Sequence, residues 1–255
     1  MSTAEQGYRR LSRSGYLLGF GVGGFFDGIL LHQILQWHHL LSLVDGVGDI
    51  RNQVLFDGLF HALMYVIAGY GLTMLIRSRH SLGRPAVGRL ILGNGLIGFG
   101  SWHVVDSVLS HWLLGIHRIR LDSPNPLFWD ALWFALFGVL PIVLGALIKR
   151  RRSSGTGGGP AAAVAMTTLA LVGGVWAARS ATDARTAIAV FRPEMSDGQI
   201  FNAVGTSGGR VLWASRGVWA IEWQKPERAS GLYGHGALLV SNSYLAAGCL
   251  AWASV

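Results

Sequence analysis

Aspartate and histidine recur at matched spacing in two hydrophobic segments of the chain. The pattern GFG-x5-D-x4-H-x5-H begins at Gly19 and again at Gly98, an offset of 79 positions (98 − 19). Its paired residues are Asp27 and Asp106, His32 and His111, and His38 and His117. Carboxylate and imidazole together suit zinc, iron, manganese or copper(II), whereas copper(I) favours the Cys and Met ligands that this set lacks. The pattern predicts a duplicated segment that could hold a transition metal.

Further residues of the same two types lie in or near these segments. Asp57 and His61 are four residues apart, and His103 and Asp106 are three apart, so a regular helix would present each pair on one face. Because an ionisable group inside a membrane span is costly, such groups are usually functional or tightly paired. The predicted metal ligands are Asp27, His32, His38, His39, Asp57, His61, His103, Asp106, His111, His117 and Asp130.

Helix geometry limits how many of these residues one ion could contact. Asp27 and His32 are five residues apart, about 140° around a regular α-helix, so they could share an ion only where the helix is bulged. His61 and His103 have no matching histidine in the other copy, which suits one specialised site that includes them. The residues expected to converge in the outer half of the bundle are Asp57, His61, His103, Asp106 and His111, with His32 and His38 nearby. A network of Asp–His hydrogen bonds without a metal is the alternative.

The segments that carry these groups are apolar. Of the 255 residues, 51% are hydrophobic and 13% are charged, about half the charged share of a soluble domain. A membrane-spanning helix needs about 20 apolar residues, and five stretches are long enough. They cover approximately residues 15–43, 55–76, 90–114, 127–148 and 160–178.

The first four spans are predicted to be a duplicated helical hairpin. Besides the matched first and third spans, Phe56–Phe60 aligns with Trp129–Trp133 in the second and fourth. Both copies start on the same side, so an axis along the membrane normal would relate them. The GFG glycines are expected to allow close helix packing. The predicted fold is an α-helical membrane protein of about five transmembrane helices, with a tandem two-helix-hairpin repeat and a C-terminal ferredoxin-like α+β domain.

The C-terminal region predicts a small domain of mixed structure. Its strand and helix signals follow the order β-α-β-β-α-β, which is the ferredoxin-like arrangement. Ser196 is the expected cap of the first helix, and Pro226 begins the second. The strands are expected at residues 186–191, 211–214, 218–223 and 237–240. The predicted domains are a four-helix bundle over 1–152, a linker over 153–159, a fifth spanning helix over 160–179 and an extracytoplasmic domain over 184–255.

Basic residues cluster between the apolar stretches. They precede the first span, separate the second from the third, and separate the fourth from the fifth, as cytoplasmic loops do. We attribute the net charge of +8 to this topology and expect no nucleic-acid partner. Five spans would put the N-terminus in the cytoplasm and the C-terminal domain outside it. Arg118 and Arg120 depart from the pattern, because they lie in an outer loop.

The run from Gly19 to Ser42, GFGVGGFFDGILLHQILQWHHLLS, resembles the opening signature of an uncharacterised bacterial inner-membrane family, a domain of unknown function. The similarity continues at Asp57–His61 and at His111–His117, and it covers the first four spans. The resemblance implies a place in the bacterial inner membrane. Members are often encoded near a haem–copper oxidase assembly protein, which implies a respiratory or copper-related context. The resemblance brings no biochemical activity with it.

Three functions are compatible with these features. The leading hypothesis is a membrane protein that binds copper, iron, zinc or haem in the outer half of the bundle, in respiratory-oxidase biogenesis or periplasmic redox and metal handling. Its partners would be the lipid bilayer and an oxidase or its assembly factors, with homo-oligomers left open. The second is a membrane di-metal oxidoreductase, although HxxxH and HxxHH boxes are missing. The third is a proton or ion relay or transporter, because buried Asp and His can exchange protons.

Overall fold

The structure is a computed structural model that describes residues 3–35, 37–45, 50–151, 158–178, 186–215, 217–223 and 226–241. The α-helices are α1 (Thr3–Asp27), α2 (Ile50–Arg77), α3 (Val87–Val105), α4 (Pro126–Trp133), α5 (Leu140–Arg150), α6 (Gly159–Ala178) and α7 (Asp197–Thr206). The strands are β1 (Thr186–Phe191), β2 (Gly209–Ser215), β3 (Val218–Trp223) and β4 (Ala237–Ser241). The chain forms two compact units, one of residues 1–27 and 61–176 and the other of residues 28–60 and 177–255.

Several helices contain π-helical turns, in which the backbone bonds span five residues instead of four. These segments are Gly28–Ile34 after α1, Asp106–Leu113 after α3, and Phe134–Val139 between α4 and α5. At the ends of the first two, Leu35 N donates to Leu30 O at 2.8 Å and Leu114 N donates to Leu109 O at 2.9 Å. Both segments begin at or directly after the aspartate of the repeated pattern. The bulge that the Asp-x4-His spacing required is therefore present.

Four helices are long and apolar enough to cross a membrane by length and composition. They cover Glu5–His32, Leu55–Arg77, Pro126–Arg150 and Gly159–Ala177. The predicted third span is helical over α3 and its π-helical extension, but it does not meet this criterion, because glycines and polar residues such as Asn94 and His103 reduce its hydropathy. The predicted end of the first span at Leu43 is wrong, since the helix stops at Ile34.

Close backbone contact explains why α3 is rich in glycine. It packs against α1 and α5, and many of its buried residues are glycines. A Cβ at Gly19 of α1 would collide with the carbonyl oxygen of Gly95, and one at Gly98 with the carbonyl oxygen of Tyr16. The predicted packing role of these GFG glycines is confirmed. A helix that faces other helices needs small residues for close approach more than it needs large apolar ones.

Helix α6 belongs to the same unit as α1 and α3. The Tyr65 hydroxyl donates a hydrogen bond of 2.6 Å to the carbonyl oxygen of Gly174. Ala163 and Met166 of α6 share an apolar core with Leu18 and Ile91. The fifth predicted span is therefore a packed member of this helical unit.

The C-terminal region forms a four-stranded sheet in the order β2-β3-β1-β4, with every neighbouring pair antiparallel. Ser196 caps α7 as predicted, and it forms a reciprocal capping box with Gln199. The second helical segment, Pro226–His235, is a 3₁₀-helix instead of the predicted α-helix. It contains Gly231 and Gly234, and glycine has a low α-helical propensity.

Both faces of the two central strands, β1 and β3, are buried. On one face Ile221 and Trp223 pack with Ile200 of α7, and on the other Ile188 and Val218 form a smaller apolar group. Leu239 packs against this smaller group, and its Cδ2 would lie 3.5 Å from a Cβ added at Gly58. Within this unit the Leu239 side chain of β4 therefore lies close to Gly58, the residue after Asp57.

Candidate metal centres

Among the residues that the structure describes, two groups of three side chains could each hold a metal ion. The first centre is His32, His39 and Asp57, and the second centre is Asp106, His111 and His117. Within each group, one potential ligand atom from every residue lies within 4.8 Å of the others, and all of the side chains are buried. Each centre offers two imidazoles and one carboxylate, a set found in iron(II) and zinc sites.

A π-helix positions the two helical ligands of the second centre. Asp106 begins the π-helical segment and His111 follows five residues later, so the i→i+5 register stacks them on one face. His111 Nε2 lies 3.1 Å from Asp106 Oδ2. In a regular α-helix the two side chains would diverge by about 140°.

A tight return of the chain brings in the third ligand, His117. Ile116 N donates to Ser110 O at 2.9 Å, and Gly115 has a φ of 62°, a left-handed conformation that glycine adopts without strain. His117 Nε2 then lies 3.4 Å from Asp106 Oδ1. Both imidazoles therefore direct Nε2 towards one carboxylate.

Asp130 of α4 holds the opposite side of the His111 ring. Its Oδ1 lies 3.1 Å from His111 Nδ1 and accepts a hydrogen bond of 2.9 Å from Ile119 N. Its Oδ2 accepts a hydrogen bond of 2.8 Å from Arg118 Nη1. Asp130 itself is fully buried. It thus fixes the orientation of His111 while Nε2 faces Asp106.

The contacts of His111 can be satisfied in two ways. An ionised carboxylate only accepts hydrogen bonds, so without an ion two ionised carboxylates beside His111 would favour a ring protonated at both nitrogens. With an ion on Nε2, the neutral ring still donates from Nδ1 to Asp130. That second arrangement is the carboxylate–histidine–metal triad, in which the outer carboxylate orients the ligand and raises its basicity.

Asp57 organises the first centre. Its Oδ2 lies 2.6 Å from His39 Nδ1, and its Oδ1 accepts a hydrogen bond of 3.0 Å from Leu40 N. His32 Nδ1 lies 3.4 Å from the same Oδ1. The His38 ring lies beside His32, with centroids 4.8 Å apart. A single carboxylate is therefore surrounded by imidazoles at the start of α2.

The surroundings of Asp57 and Asp130 correspond contact by contact. Each accepts from a backbone nitrogen and faces Nδ1 of a histidine in or at the end of a π-helix. The corresponding groups are the backbone nitrogens of Leu40 and Ile119, the histidines His32 and His111, and the side chains of His39 and Arg118. The rings of His111 and His117 are 4.7 Å apart, close to the His32–His38 spacing. The difference lies in the side chain that contacts the second carboxylate oxygen, which is His39 at Asp57 and Arg118 at Asp130.

The remaining predicted ligands lie outside the two groups found among the described residues, although all of them are buried. Asp27 accepts a hydrogen bond of 3.4 Å from the Trp102 indole. His103 Nδ1 accepts one of 3.1 Å from the Trp133 indole, so a neutral His103 ring has its proton on Nε2 and no lone pair left for an ion. The ligand roles of Asp27 and His61 stay predictions.

Arg118 is the partner of a buried aspartate, Asp130, that its sequence position did not indicate. The available signal was the presence of arginines in an outer loop, against the usual distribution of charge. The second arginine of that loop, Arg120, donates a hydrogen bond of 2.7 Å to exposed Asp122 and so holds the pKa of that carboxyl below its usual range. Both arginines therefore have a carboxylate partner.

Apolar helices of membrane-spanning length that enclose ionisable side chains define an integral membrane protein with a polar centre. Residues 14–152, more than half of the chain, match the family described as predicted membrane protein (DUF2243). The chain belongs to this family, and the resemblance to a membrane family of unknown function is confirmed. No curated protein and no solved structure matches the chain. The matched residues include both candidate centres.

Proposed function

We propose that this membrane protein binds a non-haem transition-metal ion through Asp106, His111 and His117. The observation that carries the proposal is the pair of Nε2 atoms, 3.1 and 3.4 Å from the two oxygens of one buried carboxylate. An ion bound by these three groups would neutralise the carboxylate and use both imidazole lone pairs. Asp130 lies next to the other ring nitrogen of His111, and a metal-bound histidine usually has a carboxylate or carbonyl in that position.

The choice of metal follows from the donor atoms. Imidazole and carboxylate favour zinc, iron(II), manganese or copper(II), and the cluster contains no thiolate or thioether for copper(I). The ligand atoms of the second centre converge to within 4.8 Å, a separation that suits one ion. Haem would instead need a planar space beside an axial histidine. We therefore favour a non-haem ion over haem.

The first centre is proposed as a second ion site with a different arrangement, because its carboxylate, Asp57, corresponds to Asp130 and not to the ligand Asp106. His32 and His39 both direct Nδ1 to Asp57, and the surroundings of Asp57 match those of Asp130. These matched contacts also support the proposal that the first four spans arose by duplication of a hairpin. Each copy would then supply one polar centre.

The membrane arrangement is proposed to include α3 as a fifth crossing. The N-terminus would then be cytoplasmic and the C-terminal domain periplasmic, in a bacterial inner membrane. The antiparallel strand order β2-β3-β1-β4 supports a ferredoxin-like fold for that domain. A role in respiratory-oxidase biogenesis or periplasmic metal handling stays a hypothesis that comes from the resemblance alone.

The test is metal analysis, together with an optical spectrum, of the full-length protein purified in detergent. We expect stoichiometric non-haem metal and no Soret band. His111→Ala and His117→Ala should each lower the metal content to that of the first centre, while the exposed His80→Ala should keep the full content. Full metal content in both ligand variants would remove these residues from the site.

A hydrogen-bonded proton relay is the second candidate, and the position of His111 between two carboxylates favours it. In this case His111 would carry both protons and share them with Asp106 and Asp130. The purified protein would then contain no bound metal. The His111→Ala variant would lose thermal stability equally with and without added zinc, because removing one partner leaves buried carboxylates unpaired.

A further inference from the structure

The charges around the second centre would not fully neutralise a divalent ion. Asp106 contributes one negative charge, and imidazole ligands are neutral. The charge of Asp130 is offset by Arg118, whose Nη1 lies 2.8 Å from Oδ2. A divalent ion bound here would leave one net positive charge on the centre.

This residual charge would lie among groups that are withdrawn from water. The side chains of Asp106, His111 and His117 are at most 3% exposed, and that of Asp130 is fully buried. Arg118 is 32% exposed, so solvent screens part of its charge. Because an uncompensated charge in a medium of low dielectric is costly, a counter-charge close to the ion is favoured.

The protein ligands would also leave part of the coordination sphere open. Structural zinc sites have four protein ligands, whereas catalytic zinc sites have three and keep a position for water or substrate. The two-histidine, one-carboxylate set of iron(II) sites likewise keeps open positions. The second centre has three ligands of these types within reach of one ion.

We propose that a metal ion at the second centre takes a small monoanion, of the class of hydroxide or azide, as an exogenous ligand. Arg118 favours this anion by cancelling the charge of Asp130. The inference rests on the metal-binding function proposed above. It assigns to the centre a reactive or ligand-carrying role, which a structural cross-link between helices would not have.

The experiment uses the full-length protein loaded with cobalt(II), which gives visible absorption bands, and titrates it with sodium azide. Wild type should show a saturable spectral change. Arg118→Gln should weaken azide binding roughly tenfold, which is the effect of one unit charge acting across a distance on the order of 12 Å, with Asp130 and the His111 ring between, in a medium of effective dielectric about 20. Arg118→Lys should keep most of the affinity. The matched control is Arg120→Gln, which removes the other arginine of the loop and should bind azide as wild type does.

The outcomes separate the two proposals. Cobalt uptake with a spectrum that azide does not change would overturn the anion inference and leave metal binding intact. Equal azide affinity in Arg118→Gln and Arg120→Gln would overturn the role of Arg118. Failure of the wild type to take up cobalt at all would overturn both proposals. The same titration of His32→Ala, which removes a ligand of the first centre, should keep the spectral change; its loss would place azide at the first centre and overturn the inference.

Discussion

Replacing Asp130 by asparagine tests whether this residue positions a metal ligand. In the structure its two oxygens receive three contacts, from His111 Nδ1 at 3.1 Å, Ile119 N at 2.9 Å and Arg118 Nη1 at 2.8 Å. An asparagine keeps one accepting oxygen and turns the other position into a donor. At least one contact would then place two donors face to face, and the Arg118 charge would lose its partner.

The expected effect on metal affinity follows from the role of such outer carboxylates. Removing the group that orients a ligating histidine typically lowers metal affinity by about 10- to 100-fold. This corresponds to about 1.4 to 2.8 kcal/mol of binding free energy. Asp106 and His117 remain unchanged in the variant, so binding should weaken but not vanish.

The assay is competition for zinc or cobalt with a coloured chelator, on protein purified in detergent. Asp122→Asn is the matched control, because it makes the same chemical change at an exposed aspartate that pairs with an arginine of the same loop. It should leave the affinity unchanged. If folded Asp130→Asn bound metal as tightly as Asp122→Asn, Asp130 would have no part in orienting a ligand.

Two more predictions concern helix packing and topology. Gly98→Ala should destabilise the protein by about 1–3 kcal/mol, since its Cβ would meet the carbonyl oxygen of Tyr16. Gly69→Ala, at a helical site where an added Cβ would have nothing within 4 Å, should stabilise the protein by up to about 1 kcal/mol. Thermal unfolding in detergent compares the two variants. Similar shifts of the unfolding temperature in both would contradict the packing argument. If α3 crosses the membrane, a reporter enzyme that works only outside the cytoplasm should be active when it is fused after Val255. Activity of a cytoplasmic reporter at the same position would refute five crossings.

The length of the apolar stretches predicted the helices well, because a membrane span must form its backbone hydrogen bonds within the helix and expose apolar side chains to lipid. The second predicted span, for instance, corresponds to α2, which covers Ile50–Arg77. The same signal placed the end of the first span too late, at Leu43, because hydropathy alone does not show where a helix unwinds. The same signal also did not distinguish α3 from the four more apolar spans, although the polar and glycine-rich face of α3 packs on other helices.

The candidate centres were predicted as a set of residues but not as an arrangement. The repeated Asp-x4-His spacing, argued at Asp27 and His32, indicates a ligand pair only if the helix is bulged, and no residue pattern states that a π-helix will form. The sequence could not show that Asp130 lies behind His111, because this contact depends on how α4 packs. From the sequence, Arg118 is only an exception to the charge rule, because its pairing with Asp130 depends on the tertiary structure.

The π-helical segment Asp106–Leu113 has a consequence for how this site could change by insertion or deletion. Deleting one residue between Asp106 and His111 would give a spacing of four, which a regular α-helix also places on one face. The pair would survive, but the return that presents His117 would begin about 100° earlier around the helix axis. The additional residue of the π-helical segment thus determines the direction in which the following loop leaves the helix. A one-residue change in length here would separate His117 from Asp106 and His111.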